Sequence, residues 1–132
     1  MAQQQGNSSS DGGRLDGTLQ KNTVVAGDFA LGAGWGTTPV VAVTAGSTDQ
    51  RGSISITADA TPAQATATVV FTFADGAYAA TPFALVNLQD STSAADDAQP
   101  TSVECTTTAL SWTCGVLPVD TKVYIFNWVV VA

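Results

Sequence analysis

The chain reads as an all-β domain, an antiparallel β-sandwich of jelly-roll-like type with an extended N-terminal arm. Three observations lead to that class. From residue 23 onward, short apolar runs are separated by clusters of Gly, Pro, Asp and Ser, the punctuation of strands joined by turns. Within 53–58, Ile54 and Ile56 alternate with Ser53, Ser55 and Thr57, the period-two pattern of a strand with one wet face. Helical periodicity is almost absent, and runs of this length and spacing suit two packed antiparallel sheets.

Taken in order, residues 1–22 come first, with only Leu15 and Leu19 as large aliphatics after Met1. Such a stretch buries too little apolar area to offset its own ordering entropy. It reads as an arm held by a partner, or as a mobile terminus, with Leu15 and Leu19 as its anchor points. The domain division is therefore 1–22 for the arm and 23–132 for the sandwich. Candidate strands follow at 23–25, 28–31, 39–44, 53–58, 65–73, 83–88, 102–107, 110–115 and 122–131. Residues 77–80 suit a short helical turn, and 91–99 a loop with Asp96 and Asp97 at its tip.

The last strand is apolar on both faces. Val123, Ile125, Val129 and Val131 share one face, and Tyr124, Phe126, Trp128 and Val130 the other. A sandwich strand normally shows its second face to water, so the aromatic row needs a cover, either a loop of the same chain or another subunit. The favoured reading is a subunit, which makes Tyr124, Phe126 and Trp128 an oligomer interface.

Cys105 and Cys114 fall in adjacent candidate strands joined by a short turn. If 105 faces 114, the same register pairs Val103 with Val116 and Thr107 with Trp112, and a cross-strand disulfide is open to them. The register that sets 105 against 112 satisfies alternation equally and leaves the thiols staggered. No Cys-x-x-Cys spacing occurs, so zinc and redox sites are not expected.

Composition narrows function by exclusion. A chain of 132 residues suits one domain with a core of its own. It is 45% hydrophobic yet only 11% charged, so its surface must be built from Thr, Ser, Gln, Asn, Gly and Ala, which suits an extracellular or particle-bound protein. Arg14, Lys21, Arg51 and Lys122 stand against eleven acids for a net charge of −7, which argues against nucleic acid and membrane surfaces as partners. Met1 is followed by Ala-Gln-Gln-Gln-Gly-Asn-Ser, so a secretory signal is not expected. The apolar run 123–131 is far short of the roughly 20 residues that span a bilayer.

The absence of His removes the commonest general base and metal ligand, and neither a catalytic set nor a cofactor or metal is expected. A glycosidase pair would have to come from Asp49, Asp75, Asp90, Asp96 and Asp97, all in turn-like contexts where Asp ordinarily caps its own backbone. Gly32-Ala33-Gly34-Trp35-Gly36 lacks the Lys and following helix of a phosphate loop, so it reads as a bend that lets Trp35 pack closely. Trp35, Trp112 and Trp128 suit a core or an interface better than a sugar-stacking platform.

One resemblance adds to this reading. The run Asp28-Phe29-Ala30-Leu31-Gly32-Ala33-Gly34-Trp35-Gly36 is followed by Gly46-Ser47-Thr48-Asp49-Gln50-Arg51-Gly52 and Ser53-Ile54-Ser55-Ile56. Then come Val70-Phe71-Thr72-Phe73, Tyr78, Pro82-Phe83 and the closing Tyr124, Phe126 and Asn127. Over about residues 28–131 this resembles the β-sandwich modules of tailed-bacteriophage virion proteins, the tip domains of fibres and the head decorations. The resemblance implies a homotrimer and makes 46–52 a structural turn, with Asp49 hydrogen-bonding it and Gly46 and Gly52 permitting its tight backbone. It supplies no enzymatic residues. A shaft is missing between arm and domain, which favours a capsid decoration or head-fibre protein on the outer capsid surface, assembled in the host cytoplasm. Its partner would be the major capsid protein, met by the arm through Arg14, Leu15, Leu19 and Lys21. The alternative is a receptor- or carbohydrate-binding tip domain of a tail fibre, with a host-surface glycan as partner.

Overall fold

Alternation along most of the strands gives each an inner and an outer row, and two sheets close over the inner rows. The structure, a computed structural model, describes residues 23–59, 66–91, 98–115 and 118–132. Its strands are β1 (Phe29–Leu31), β2 (Val40–Val43), β3 (Arg51–Thr57), β4 (Thr68–Thr72), β5 (Phe83–Ser91), β6 (Pro100–Cys105), β7 (Ala109–Cys114) and β8 (Val123–Val131). They form two four-stranded antiparallel sheets, ordered β1-β4-β7-β6 and β2-β3-β8-β5. Hairpins join β2 to β3 and β6 to β7; the other connections cross between the sheets, so the all-β sandwich is observed as expected.

Two local expectations fail for identifiable reasons. Residues 23–25 form no strand, because Val25 instead opens a short 3-10 turn, Ala26–Asp28, and donates its N–H to Asp28 Oδ2 at 2.9 Å. Residues 77–80 form no helical turn. The N–H of Tyr78 is drawn off by the Thr107 carbonyl at 2.8 Å, and its buried ring stands edge-on to Phe73.

The core is aromatic and spans both sheets. Phe29 stacks on Phe71 at 4.8 Å, Phe71 meets Trp128 at 5.0 Å, and Trp112 meets Phe126 at 5.5 Å between ring centroids. Trp35 sits on a 3-10 turn, Ala33–Trp35, where it is fully buried edge-on to Tyr124 and Phe126 and donates Nε1–H to the Thr68 carbonyl at 3.1 Å. The glycine run around Trp35 is thus the bend the sequence suggested.

This core corrects the expected oligomer interface. Tyr124, Phe126 and Trp128 are fully buried within the chain itself, facing the opposite sheet, and the outward row of β8 is Val123, Ile125, Asn127, Val129 and Val131. The physical reason is size. Two sheets pack about 10 Å apart, and large rings span that gap and remove more apolar surface from water than valines would.

The expected disulfide is corrected too: Cys105 and Cys114 are both free thiols. Thr106 N–H donates to the Ala109 carbonyl at 2.8 Å, which closes the β6–β7 hairpin two residues tighter than the staggered register and four tighter than the disulfide register. Cys105 therefore pairs with Leu110, and Cys114 with Pro100. Leu110 and Cys114 lie four positions apart on one strand, about 13 Å. A bridge needs Cα atoms within about 7 Å.

Candidate functional site

The segment from Thr44 to Ser53, singled out in the sequence, closes one end of the sandwich. It is pinned at many points. Ser47 Oγ donates to the Thr44 carbonyl at 2.7 Å and accepts the Ser53 N–H at 3.3 Å, and the Thr48 N–H reaches the Arg51 carbonyl at 2.9 Å. From outside the loop, Val24 N–H donates to Ser47, Val130 N–H to Gln50, and Trp128 Nε1–H to the Thr48 carbonyl at 3.1 Å.

Asp49 is the least expected part of this end. Its side chain is fully buried, with Oδ1 accepting the Ala74 N–H at 2.7 Å and Oδ2 the Asp75 N–H at 2.9 Å. A carboxylate held by such charge-assisted bonds ties the β2–β3 loop to the loop after β4. It works across the sandwich, a reach of more than twenty residues that a local turn reading did not include. Gly46 behaves as expected, with φ at +85°, where a side chain would be strained. Gly52 serves a different purpose from backbone tightness: a Cβ there would strike the six-membered ring of Trp128. The glycine is room for the tryptophan.

Two other acids also hold backbone. Asp28 takes the Val25 N–H, and Asp59 Oδ2 takes the N–H and hydroxyl of both Thr37 and Thr38. Among the described residues, no group of three or more His, Cys, Asp or Glu is placed to hold a metal ion, and no helix is long and apolar enough to cross a membrane. Asp96 and Asp97, and the arm residues Arg14, Leu15, Leu19 and Lys21, lie outside the described residues.

Burial pushes the Cys114 thiol up to about 12 and raises that of the half-buried Cys105 as well. Both therefore stay protonated at neutral pH and behave as small apolar groups rather than nucleophiles.

Two surface features flank the pinned loop. The first is a shallow hollow of about 280 Å³, lined by Thr44, Ser47, Arg51, Ser53 and the edge of Trp128. The second is a patch on the outer face of the β2-β3-β8-β5 sheet. Register places Phe83 beside Val131 and Leu85 beside Val129, and these four are 83%, 57%, 75% and 46% exposed. Sequence reasoning did not single out this patch. The signal was present, because Phe83-Ala84-Leu85-Val86-Asn87-Leu88 is apolar on both faces like 123–131, but only the pairing of β5 with β8 merges the two outer rows.

No protein-family model matches the chain, and no curated protein and no solved structure does either.

Proposed function

We propose that the chain is a structural virion protein of a tailed bacteriophage, a homotrimeric capsid decoration or head-fibre protein. In this reading residues 1–22 attach to the major capsid protein and the sandwich projects from the outer capsid surface, helping to stabilise the shell. The observation that carries it is the outer face at β5 and β8, which has the composition of a core yet lies open to solvent. That suits a subunit of an assembly. The carboxylates support the same reading, since Asp28, Asp49 and Asp59 are engaged in bracing loops. The resemblance of residues 28–131 to phage virion modules supplies the kind of assembly, as likeness and not as chemistry.

A second reading, a receptor- or carbohydrate-binding tip domain of a tail fibre, draws on the hollow beside Arg51 and Ser53, where a host-surface glycan would find a cation and a hydroxyl. Immunogold labelling of purified particles separates the two. Label on heads is expected; label confined to tail tips favours the second reading, and label on neither overturns both. Deleting residues 1–22 is expected to leave the sandwich folded and abolish head attachment, and unchanged head occupancy would sink the arm's role.

A further inference from the structure

The outer face at β5 and β8 is built like one half of an interface. Phe83, Leu85, Val129 and Val131 form its apolar centre, and Asn87, Asn127 and Arg51 lie around them on the same face. Asn127 Nδ2–H donates to Gln89 Oε1 at 2.8 Å, which fixes part of that polar surround. An apolar centre within a polar rim is the anatomy of a protein–protein contact. Four such side chains expose on the order of a few hundred Å² of apolar surface. A stable interface buries roughly 800 Å² per partner, so the contact needs the polar rim as well as the apolar centre.

Charge selects the occupant. The chain carries −7 overall, so two copies repel wherever their carboxylates meet. Around the patch, the outer rows of β3 and β8 and of β5 from Phe83 to Asn87 carry no carboxylate, and Arg51 is the one cation; Asp90, paired with Ile125, lies at the far end of β5. This is a face through which copies of an acidic chain approach without that penalty. The edge also has no strand partner in its own sheet. From Phe83 to Leu88, ahead of the bulge before Asp90, β5 has neither charge nor proline, two of the devices that usually blunt an edge strand.

We propose that this patch is the self-association surface of the chain, and that a second copy covers it by packing its own Phe83, Leu85, Val129 and Val131 against it. The proposal rests on the reading above only in that the chain self-associates, and is independent of the trimer and of the capsid part, since patch against patch is a two-fold contact. It replaces the aromatic row of β8, which the core has claimed, with the row on the strand's opposite side and its neighbours on β5.

The test is the mass of the full chain in solution, by sedimentation velocity and light scattering, compared with L85K and, separately, F83S. The wild-type chain is expected to run as a multiple of 13.4 kDa. L85K is expected to weaken association by more than about a hundredfold, since two copies would bring like charges together in a desolvated contact. Both variants should keep the wild-type circular dichroism, because Phe83 and Leu85 contribute little to the core. A42K, on the same sheet but at β2, should keep the wild-type mass. A monomeric wild-type chain, an L85K chain that associates as before, or an A42K chain that dissociates equally would each overturn the proposal. A wild-type dimer that L85K splits would keep this surface and discard the trimer, and an L85K monomer that still decorates heads would separate the contact from capsid binding.

Discussion

β7 and β8, a central strand of each sheet, differ in a way that alternation alone does not explain. On β7 the inner row is Leu110, Trp112 and Cys114, while the outer row of Ala109, Ser111 and Thr113 is small and hydroxyl-bearing. On β8 the inner row is Tyr124, Phe126, Trp128 and Val130, and the outer row is mostly Val and Ile. The first sheet therefore meets water as a β-sandwich usually does. The second presents a row that would serve as core elsewhere. Inner rows answer to the fold, and outer rows are free to answer to whatever lies outside.

The largest effect should come from breaking the inner row. Trp128→Ala is expected to destabilise the domain by about 4 kcal/mol, because it leaves a cavity among Phe29, Phe71 and Gly52 and strips the Thr48 carbonyl of its indole donor. Urea denaturation followed by fluorescence would register this as unfolding at lower denaturant. Loss of oligomer with unchanged stability would instead return Trp128 to the interface.

A smaller effect should come from β7 and depend on pH. The folded chain keeps the Cys114 proton up to about 12, whereas an unfolded thiol releases it near 9. The folded state thus binds more protons in that window. Stability from this group is complete below about pH 9 and falls as pH rises, by up to about 1.4 kcal/mol per unit. Thermal melts between pH 8 and 11 should show the decline, and Cys114→Ala should flatten it from a lower starting stability. A wild-type slope that survives Cys114→Ala would assign the decline to other groups.

The smallest stability effect should come from the outer rows, where the two strands differ most. Val129→Thr and Ser111→Val, which exchange their characters, are each expected to change stability by less than about 1 kcal/mol. Equilibrium unfolding of both variants would check this. A loss of several kcal/mol in Val129→Thr would mean that the aliphatic row supports the fold itself.

The strands were legible because alternation and turn residues are local signals. The candidate runs from 28 to 131 fall within a few residues of β1 to β8, and the bend at Trp35 was readable from its glycines. What failed was long-range. Which face of β8 turns inward depends on the opposite sheet, and a strand apolar on both sides does not reveal it. The Cys105–Cys114 register turned on a four-residue difference in where the hairpin closes, an even shift that alternation tolerates. Asp49 looked like a turn residue because Ala74 and Asp75, whose N–H groups it takes, are distant in the chain. Gly52 looked like turn geometry because the Trp128 ring that needs the space arrives from another strand.

By itself the sequence determined an all-β sandwich, its strands, its two-faced closing strand and an acidic chain with few charges. These depend on side-chain periodicity and composition, which need no knowledge of neighbours. Only the tertiary structure decided that the rings of β8 form the core, that Asp49 braces two loops, and that Phe83 and Leu85 join Val129 and Val131 in one open patch. Those outcomes depend on which strands meet and in what register, and that is settled by burying the largest apolar surface across the whole chain at once.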